Sequence, residues 1–358
     1  MIFKSFLGAT TPYGFTGYFE ELCRTDNDLH TYIIKGGPGC GKSSMMKRIG
    51  EKLEANGYDA EYVHCSSDPS SLDGIICERL HLAIADGTAP HVLEPKIPAA
   101  YHSVISLYDC IDESALEARR EELIELFSKN ARCFERANRF ISASASLFGD
   151  ISRTSAGFLL KDKLERYIAN LTRRMFLPNE GGGASIEKNR FLTALTPEGI
   201  ASFTRENLAT CTYRYLLKDR YGAFAQTALK LIHEAAAKSG LQTVVCRSFL
   251  SPSDKYEALF FPSLSLCFVT DSFIAPLSAE GCRIIHDERF YDKSAMKNSA
   301  NRLAFCKKTI LCLLTQGGEI LREAKRIHDE IEAFYKRDFD YEKLHKREEA
   351  LCAKYGLF

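Results

Sequence analysis

The residues with the clearest chemistry form a glycine-rich stretch near the start of the chain. Residues 36–43 read Gly-Gly-Pro-Gly-Cys-Gly-Lys-Ser and fit the pattern GxxxxGK[ST]. The stretch follows a segment typical of a β-strand, residues 31–34, and opens a segment typical of a helix, which is the context that this pattern needs. Glycines let the backbone turn tightly, so that several N–H groups can converge on one phosphate. We therefore predict a phosphate-binding loop.

Each position of this loop has an expected task. The predicted nucleotide-binding residues are Gly36, Gly37, Pro38, Gly39, Cys40, Gly41, Lys42, Ser43 and Ser44. The helix that starts near Lys42 adds its positive N-terminal end to the site. Lys42 should reach the β- and γ-phosphates as a catalytic residue, and the Ser43 hydroxyl should bind Mg²⁺.

A second magnesium ligand should be an acid at the end of a neighbouring strand. Residues 80–85 are mostly apolar and lead to Asp86, which we predict to be both a metal ligand and a catalytic residue. Asp86 could instead only begin a turn, because Asp-Gly is a common turn pair. Asp68 and Asp73 are the alternative metal ligands. The next residue, Gly87, stands where hydrolases often have a water-activating Glu, so efficient hydrolysis by that route is not expected.

Residues around the loop leave further interpretations open. Thr88 and His91 could sense the γ-phosphate or contact a substrate, or they could simply build the loop. The Thr-Pro-Tyr-Gly turn at 11–14 could frame the base, but its recurrence as Thr-Pro-Glu-Gly at 196–199 favours a structural role at least as well. The sequence has no NKxD-type motif, which would indicate guanine recognition, and ATP is therefore the expected nucleotide.

The chain repeats itself over most of its length, which indicates a duplication. The matched pairs are 6–14 with 191–199, 32–35 with 215–218, Gly57 with Gly240, and Asp86 with Asp271. Between the copies, residues 177–184 contain one Pro and three Gly and are typical of a linker. We predict a P-loop domain at 1–176, a linker at 177–188 and a degenerate second domain at 189–358.

Each copy alternates strands with helices, which predicts an α/β fold built from two parallel-sheet domains of the P-loop NTPase type. The predicted strands are 31–34, 60–65 and 80–85 in the first copy, and 214–217, 243–247 and 264–269 in the second. In each copy the helix between the first two strands should end near a glycine, Gly57 or Gly240.

Long helices then close each copy. Apolar residues from Leu303 to Phe334 step by alternating three and four, which is a heptad seam, and residues from Leu123 to Phe148 repeat it. Shorter helices are predicted near 159–174 and 341–355. We expect a helical hairpin on each core, with the hairpins packed together inside the chain; an oligomer or protein-partner surface is the alternative. Residues 314–319 loosely resemble a transporter ATPase signature, but their place inside the seam favours a structural role.

The second copy has lost the chemistry of the first. Residues 219–226 read Asp-Arg-Tyr-Gly-Ala-Phe-Ala-Gln at the loop positions. Ala225 stands in place of the loop lysine and Gln226 in place of the loop serine, while Asp219 would repel a phosphate. We predict that this copy binds no nucleotide and is kept for packing or for a partner.

Composition excludes several classes of protein. The chain has 358 residues, with 47 Lys plus Arg and 47 Asp plus Glu, so its formal net charge is zero and nucleic-acid binding is not indicated. Its apolar runs fall far short of the roughly 20 residues that span a membrane. The 13 cysteines lack CxxC pairs and zinc-like spacing, which is typical of reduced thiols in a cytoplasmic protein.

The loop and its neighbouring motifs resemble a poorly characterised family of bacterial, Firmicutes-type tandem P-loop ATPase-like proteins. The motifs are Lys-Gly-Gly-Pro-Gly-Cys-Gly-Lys-Ser-Ser at 35–44, His-Cys-Ser-Ser-Asp at 64–68, Leu-Asp-Gly at 72–74 and Ala-Ile-Ala-Asp-Gly-Thr-Ala-Pro-His at 83–91. The resemblance implies ATP binding and two halves of P-loop fold, and Mg²⁺ is expected from the loop serine and Asp86. The expected function is a slow or partner-stimulated ATPase. A small-molecule or nucleotide kinase and a nucleotide-gated scaffold are the alternatives.

Overall fold

A computed structural model describes residues 2–176, 185–337 and 339–358. Most of the predicted linker, residues 177–184, therefore lies outside the described residues. The first strand of the second half begins at Glu187, two residues before the predicted start of that domain.

The two halves contain nearly the same series of elements. The strands of the first half are β1 (Ile2–Ser5), β2 (Gly8–Thr11), β3 (Gly14–Gly17), β4 (His30–Lys35), β5 (Ala60–His64), β6 (Leu72–Cys77), β7 (Leu82–Asp86) and β8 (His102–Ser106). Its helices are α1 (Lys42–Ala55), α2 (Glu113–Glu117), α3 (Arg120–Ala156) and α4 (Lys161–Met175). The strands of the second half are β9 (Glu187–Phe191), β10 (Thr193–Thr196), β11 (Gly199–Ser202), β12 (Tyr213–Lys218), β13 (Thr243–Ser248), β14 (Ser251–Phe261), β15 (Leu266–Asp271) and β16 (Arg283–His286). Its helices are α5 (Thr204–Ala209), α6 (Ala223–Lys238), α7 (Lys293–Met296), α8 (Ala300–Lys336) and α9 (Tyr341–Lys354).

Each half builds a six-stranded sheet with the same strand order. The order is β1-β5-β6-β7-β4-β8 in the first half and β9-β13-β14-β15-β12-β16 in the second. The α/β prediction is confirmed, but the prediction of purely parallel sheets is wrong. β6 runs antiparallel to both β5 and β7, and β14 does the same in the second half. The connections that flank β6, residues 65–71 and 78–81, are too short for a parallel crossover, which needs a dozen or more residues.

The long helices α3 and α8 pack against each other, so the prediction that the seams meet within the chain is confirmed. Both seams deviate in places from the predicted heptads. Phe127 is 43% exposed, and Leu126 is buried instead. In the middle of α8 the buried residues are Leu314 and Leu321 instead of the predicted Leu313 and Ile320. The β10–β11 hairpin packs against the helix there.

The short helices exchange between the halves. α4 packs on α6 of the second half, and α9 packs on α1 of the first. Leu344 and Leu351 of α9 join the core of the first half, and Glu348 forms a bidentate ion pair with Arg48 at 2.6–3.1 Å. We expected each helical hairpin to pack on its own core. This is wrong for the second helix of each hairpin, α4 or α9, because its apolar face is buried on the core of the opposite half.

The repeated Thr-Pro turns lie on the long helices. Asn138 of α3 donates a hydrogen bond to the Thr11 carbonyl at 2.6 Å, and Ser142 donates to the Pro12 carbonyl at 3.1 Å. In the second half the β10–β11 hairpin reaches α8 at Gly317 and Gly318, where a Cβ would lie 3.1–3.7 Å from Leu195. Close packing of hairpin on helix therefore accounts for both the turn motif and the glycine pair.

A compact polar cluster joins the two halves beside a short backbone bridge. Phe6 and Phe191 exchange backbone hydrogen bonds of 2.8 and 2.9 Å. Next to them, buried Arg190 forms two hydrogen bonds to the Glu61 carboxylate, at 2.6 and 3.0 Å, and one to Glu21 at 3.1 Å. Burial of Glu61 opposes the charge of its carboxylate, but Arg190 outweighs this effect and holds the pKa of the Glu61 carboxyl below its usual range. The halves are thus joined by a satisfied ionic contact as well as by exchanged helices.

Candidate nucleotide site

The glycine-rich stretch forms a loop between the end of β4 and the start of α1. Gly41 caps the helix with a φ of +73°, and Gly39 has a φ of +70°, a left-handed conformation that favours glycine. The predicted strand–loop–helix context is confirmed by this geometry. The intervening Cys40 is buried, and burial raises the pKa of its thiol, so this residue serves packing rather than thiolate chemistry.

Lys42 occupies the inside of the loop. Its side chain is buried, and its Nζ donates to the carbonyls of Gly36 and Gly37 at 3.0 and 2.7 Å. The same nitrogen lies 3.5 Å from a carboxylate oxygen of Asp86. The ammonium group of Lys42 thus contacts two neutral carbonyls and one carboxylate. A bound phosphate could replace all three as its partner.

Asp86 ends the strand that lies next to the loop strand. β7 pairs in parallel with β4, and Ile34 stands opposite Asp86. One carboxylate oxygen accepts hydrogen bonds from the Thr88 backbone N–H at 2.9 Å and hydroxyl at 2.6 Å, while the other faces Lys42. Asp86 therefore begins a turn and also faces the loop lysine, so the two interpretations of this residue are compatible.

The two serines of the loop differ in their surroundings. The Ser43 hydroxyl oxygen accepts a hydrogen bond from the backbone N–H of Leu72, at 2.9 Å, which ties the first turn of α1 to the start of β6. Its remaining lone pair and its O–H are the groups that a magnesium ion and its water could use. Ser44 is exposed.

The alternative acids have other partners. Asp68 accepts hydrogen bonds from Ser70 and Ser71, and Lys325 of α8 lies 3.5 Å from it. Asp73 is buried on β6, and its carboxylate lies 3.5 Å from the ring of His91. These arrangements make Asp68 a loop-forming residue and Asp73 the partner of a histidine.

His91 connects Asp73 to the Asp86 strand. Its Nδ1 lies 3.1 Å from the Asp86 backbone carbonyl, and its Nε2 faces Asp73. Burial opposes a charge on the ring, but the carboxylates of Asp73 and Asp86 outweigh it and raise the pKa of His91 to about 9. The sequence suggested His91 only as a possible phosphate sensor, substrate contact or loop residue. Its pairing with Asp73 had no local signal, because the rest of β6 and all of β7 lie between them in the chain.

The outer side of the loop is covered by helices from the second half. A Cβ on Gly37 would overlap the ring of Tyr335, and one on Gly39 would lie 3.0 Å from the Glu332 carbonyl and from the Lys336 side chain. A Cβ on Gly41 would lie 2.7 Å from Leu344 of α9. The loop glycines therefore serve contact with α8 and α9 as well as backbone geometry. Sequence reasoning missed these contacts because they depend on the exchange of helices.

The degenerate loop is filled by its own aspartate. One oxygen of the Asp219 carboxylate accepts from the backbone N–H groups of Tyr221 and Gly222 at 3.0 and 2.9 Å, and the other accepts from that of Ala225 at 2.7 Å. Backbone amides that converge on an anion are what a phosphate loop provides, and here a side chain supplies the anion. Burial raises the pKa of Asp219 despite these bonds.

Other positions of the second site have changed their roles. Strand register places Thr270, not Asp271, where the first half has Asp86, because Leu217 pairs with Thr270 as Ile34 pairs with Asp86. Gln226 accepts from the Tyr256 backbone N–H at 2.9 Å, a contact like that of the loop serine in the first half. The second site thus keeps its packing contacts without a lysine or an acid in the corresponding places.

Among the described residues, no group of three or more His, Cys, Asp or Glu side chains could hold a metal ion by itself. No described helix is both long enough and apolar enough to cross a bilayer. Comparisons with models of known protein families, with curated proteins and with solved structures each find no match to this chain.

Proposed function

We propose that this protein binds ATP with Mg²⁺ in its first half and hydrolyses it slowly or on stimulation by a partner. The observation that carries the proposal is the approach of Lys42 Nζ to Asp86 at 3.5 Å, inside a glycine-rich loop that joins β4 to α1. A base and an acid at these two places are what a triphosphate with a magnesium ion requires. The 13 cysteines, all free thiols, are consistent with a cytoplasmic location.

The residues of the site have distinct expected roles. Backbone N–H groups of the loop and the start of α1 would hold the β-phosphate, and Lys42 would leave the carbonyls of Gly36 and Gly37 for the phosphate oxygens. Ser43 and Asp86 would hold the magnesium ion, which neutralises phosphate charge when bound. Gly87 offers no side chain to activate water, which is why slow or stimulated turnover is proposed.

Calorimetry with MgATP tests the binding step. The wild-type chain should bind a single equivalent, because the second loop already contains Asp219. Lys42→Ala should weaken binding at least tenfold, since a hydrogen bond to a charged group contributes about 1.5–3 kcal/mol. Lys308→Ala, on the exposed face of α8, is the matched control and should bind as the wild type does. Equal affinities of the Lys42 variant and the wild type would contradict the site assignment.

A second candidate, a nucleotide-gated scaffold, is favoured by the contact of α8 with the loop. Tyr335 and Lys336 of α8 lie directly on loop glycines, so a change in the loop conformation would displace the end of a helix that contacts both halves. Product analysis separates the candidates. Free phosphate supports an ATPase, a phosphorylated small molecule supports the kinase alternative, and binding without turnover supports the scaffold.

A further inference from the structure

The last turn of α8 carries a lysine onto the loop of the other half. A Cβ on Gly39 would lie 3.0 Å from both Cγ and Cε of Lys336, so the stem of this side chain crosses the loop. Its Nζ pairs with Glu332, one turn earlier on the same helix, at 2.5 Å, and the side chain is 52% exposed. The lysine end of this pair is open to solvent, and ion pairs that solvent screens contribute about 1 kcal/mol or less. The ammonium group can therefore exchange Glu332 for a stronger anion at little cost.

The loop below this lysine needs additional positive charge once a triphosphate binds. Lys42 is the cation at the end of the loop, and a single magnesium ion would join it. Together they leave part of the triphosphate charge unbalanced. Transferring phosphoryl groups are commonly stabilised by a further cation placed at the loop.

The second half provides an internal comparison, because α3 covers its loop as α8 covers the first. A Cβ on Gly222 would lie 2.9 Å from the Ser152 hydroxyl, and Ser155 donates to the Tyr221 carbonyl at 3.3 Å. Both helices have 37 residues, and equal distance from their starts pairs Ser152 with Glu332 and Ala156 with Lys336.

The comparison links two lysines to one task. The half whose loop has Lys42 is covered by a helix that ends in Lys336, whereas the half whose loop has Ala225 is covered by a helix that ends in Ala156. A role in helix packing alone would give no reason for both lysines to be missing from the same half. Phosphate binding gives that reason, because Asp219 fills the second loop and leaves no phosphate to be neutralised.

We propose that Lys336, supplied by the second half, is a phosphate-binding residue of the nucleotide site in the first half. On ATP binding its ammonium group leaves Glu332 and pairs with the phosphates above Gly39. The nucleotide site is then composite, and neither half contains all of it. This inference rests on the proposed function.

The test measures MgATP affinity of the full chain by calorimetry at low and at high salt. Lys336→Gln should weaken binding about tenfold or more and reduce its salt dependence. Lys336→Arg should recover most of the affinity, because it keeps the charge. Lys308→Gln is the matched control, since it removes the same charge from the same helix about 40 Å away, and it should bind as the wild type does. The Tm of the nucleotide-free Lys336→Gln protein should equal that of the wild type.

Two results would overturn the inference while leaving ATP binding intact. One is equal affinity of Lys336→Gln and wild type. The other is weaker binding that Lys336→Arg fails to recover and that accompanies a lowered Tm, which would make Lys336 a packing residue. Absence of any ATP binding by the wild type would instead overturn the proposed function and this inference with it.

Discussion

At the scale of residues, the first site is organised around two acids on adjacent strands. Asp86 faces the loop lysine and also fixes the turn at Thr88, whereas Asp73 is paired with His91. Gly74 pairs with Ala85, so Asp73 and Asp86 lie at the same level of the sheet, and their partners rather than their positions distinguish them.

Substitution of the acids should rank them. Asp86→Asn should weaken magnesium-dependent ATP binding about tenfold, because it removes the charge that would bind the ion. Asp68→Asn should have a smaller effect, since Asp68 is engaged with two serines and Lys325. Magnesium titrations of both variants at fixed ATP measure the ranking, and the opposite order would move the metal ligand to Asp68.

The buried histidine should make stability depend on pH. Folded His91 has a pKa of about 9, above the usual value near 6.5, so its stabilising effect is complete below pH 6.5 and is lost as the pH rises through 9. The difference in free energy of unfolding between wild type and His91→Gln should therefore shrink by about 3 kcal/mol across that range. Urea unfolding at several pH values measures it. A difference that stays constant from pH 6 to pH 9.5 would contradict the ion pair.

Much of this site was predictable from the sequence, because its central parts are local. The loop, its lysine and the strand ending in Asp86 are each contiguous in the chain. The partners Asp73 and Lys336 were not predictable as such. One depends on an antiparallel strand, and the other on a helix more than 290 residues away from the loop.

At the scale of elements, the two loops show how one framework serves different contents. The second loop surrounds the Asp219 carboxylate, and α6 begins at Ala223, earlier relative to its strand than α1 does. The shorter loop is possible because a carboxylate tethered to the chain is smaller than a phosphate group and needs fewer residues around it.

Removal of this internal anion should destabilise the second half. Asp219→Ala would leave one buried and two partly buried backbone N–H groups without their acceptor, and we expect the free energy of unfolding to fall by about 2–4 kcal/mol. Urea unfolding provides the measurement. Asp254→Ala, at an exposed position of β14, is the matched control and should change stability by less than about 0.5 kcal/mol. An Asp219→Ala protein as stable as the wild type would show that the amides find other acceptors.

Sequence patterns predicted three strands of each sheet within one or two residues, namely β4, β5 and β7 and their counterparts β12, β13 and β15. They missed the edge strands and the antiparallel strands, of which β6 is an example. Its residues 72–77 include Asp-Gly, a pair that normally indicates a turn. Here the pair lies inside a strand that is buried along its whole length, and a Cβ on Gly74 would lie 3.1 Å from the Ile84 carbonyl. Tertiary packing, not local propensity, fixes that strand.

At the scale of the whole molecule, the interface between the halves contains an ion pair. Removing only one of its two partners should destabilise the protein. Arg190→Met leaves Glu61 without its main partner, and we expect a loss of about 3–5 kcal/mol in the free energy of unfolding. The double variant Arg190→Met with Glu61→Gln should recover part of this loss, because the buried charge of Glu61 is then removed as well. Urea unfolding of the single and double variants measures both effects, and a loss below about 1 kcal/mol would show that the contact is solvated.

The exchange of α4 and α9 also bears on how such a chain can arise. A single copy would leave bare the core surface that the other copy's short helix covers, so it would be complete only as a two-fold symmetric dimer. Two identical subunits must carry identical loops, so a substitution that removes the loop lysine from one subunit removes it from both. Fusion of two copies into a single polypeptide removes that constraint. One loop can then keep its lysine while the other places an aspartate among its backbone amides.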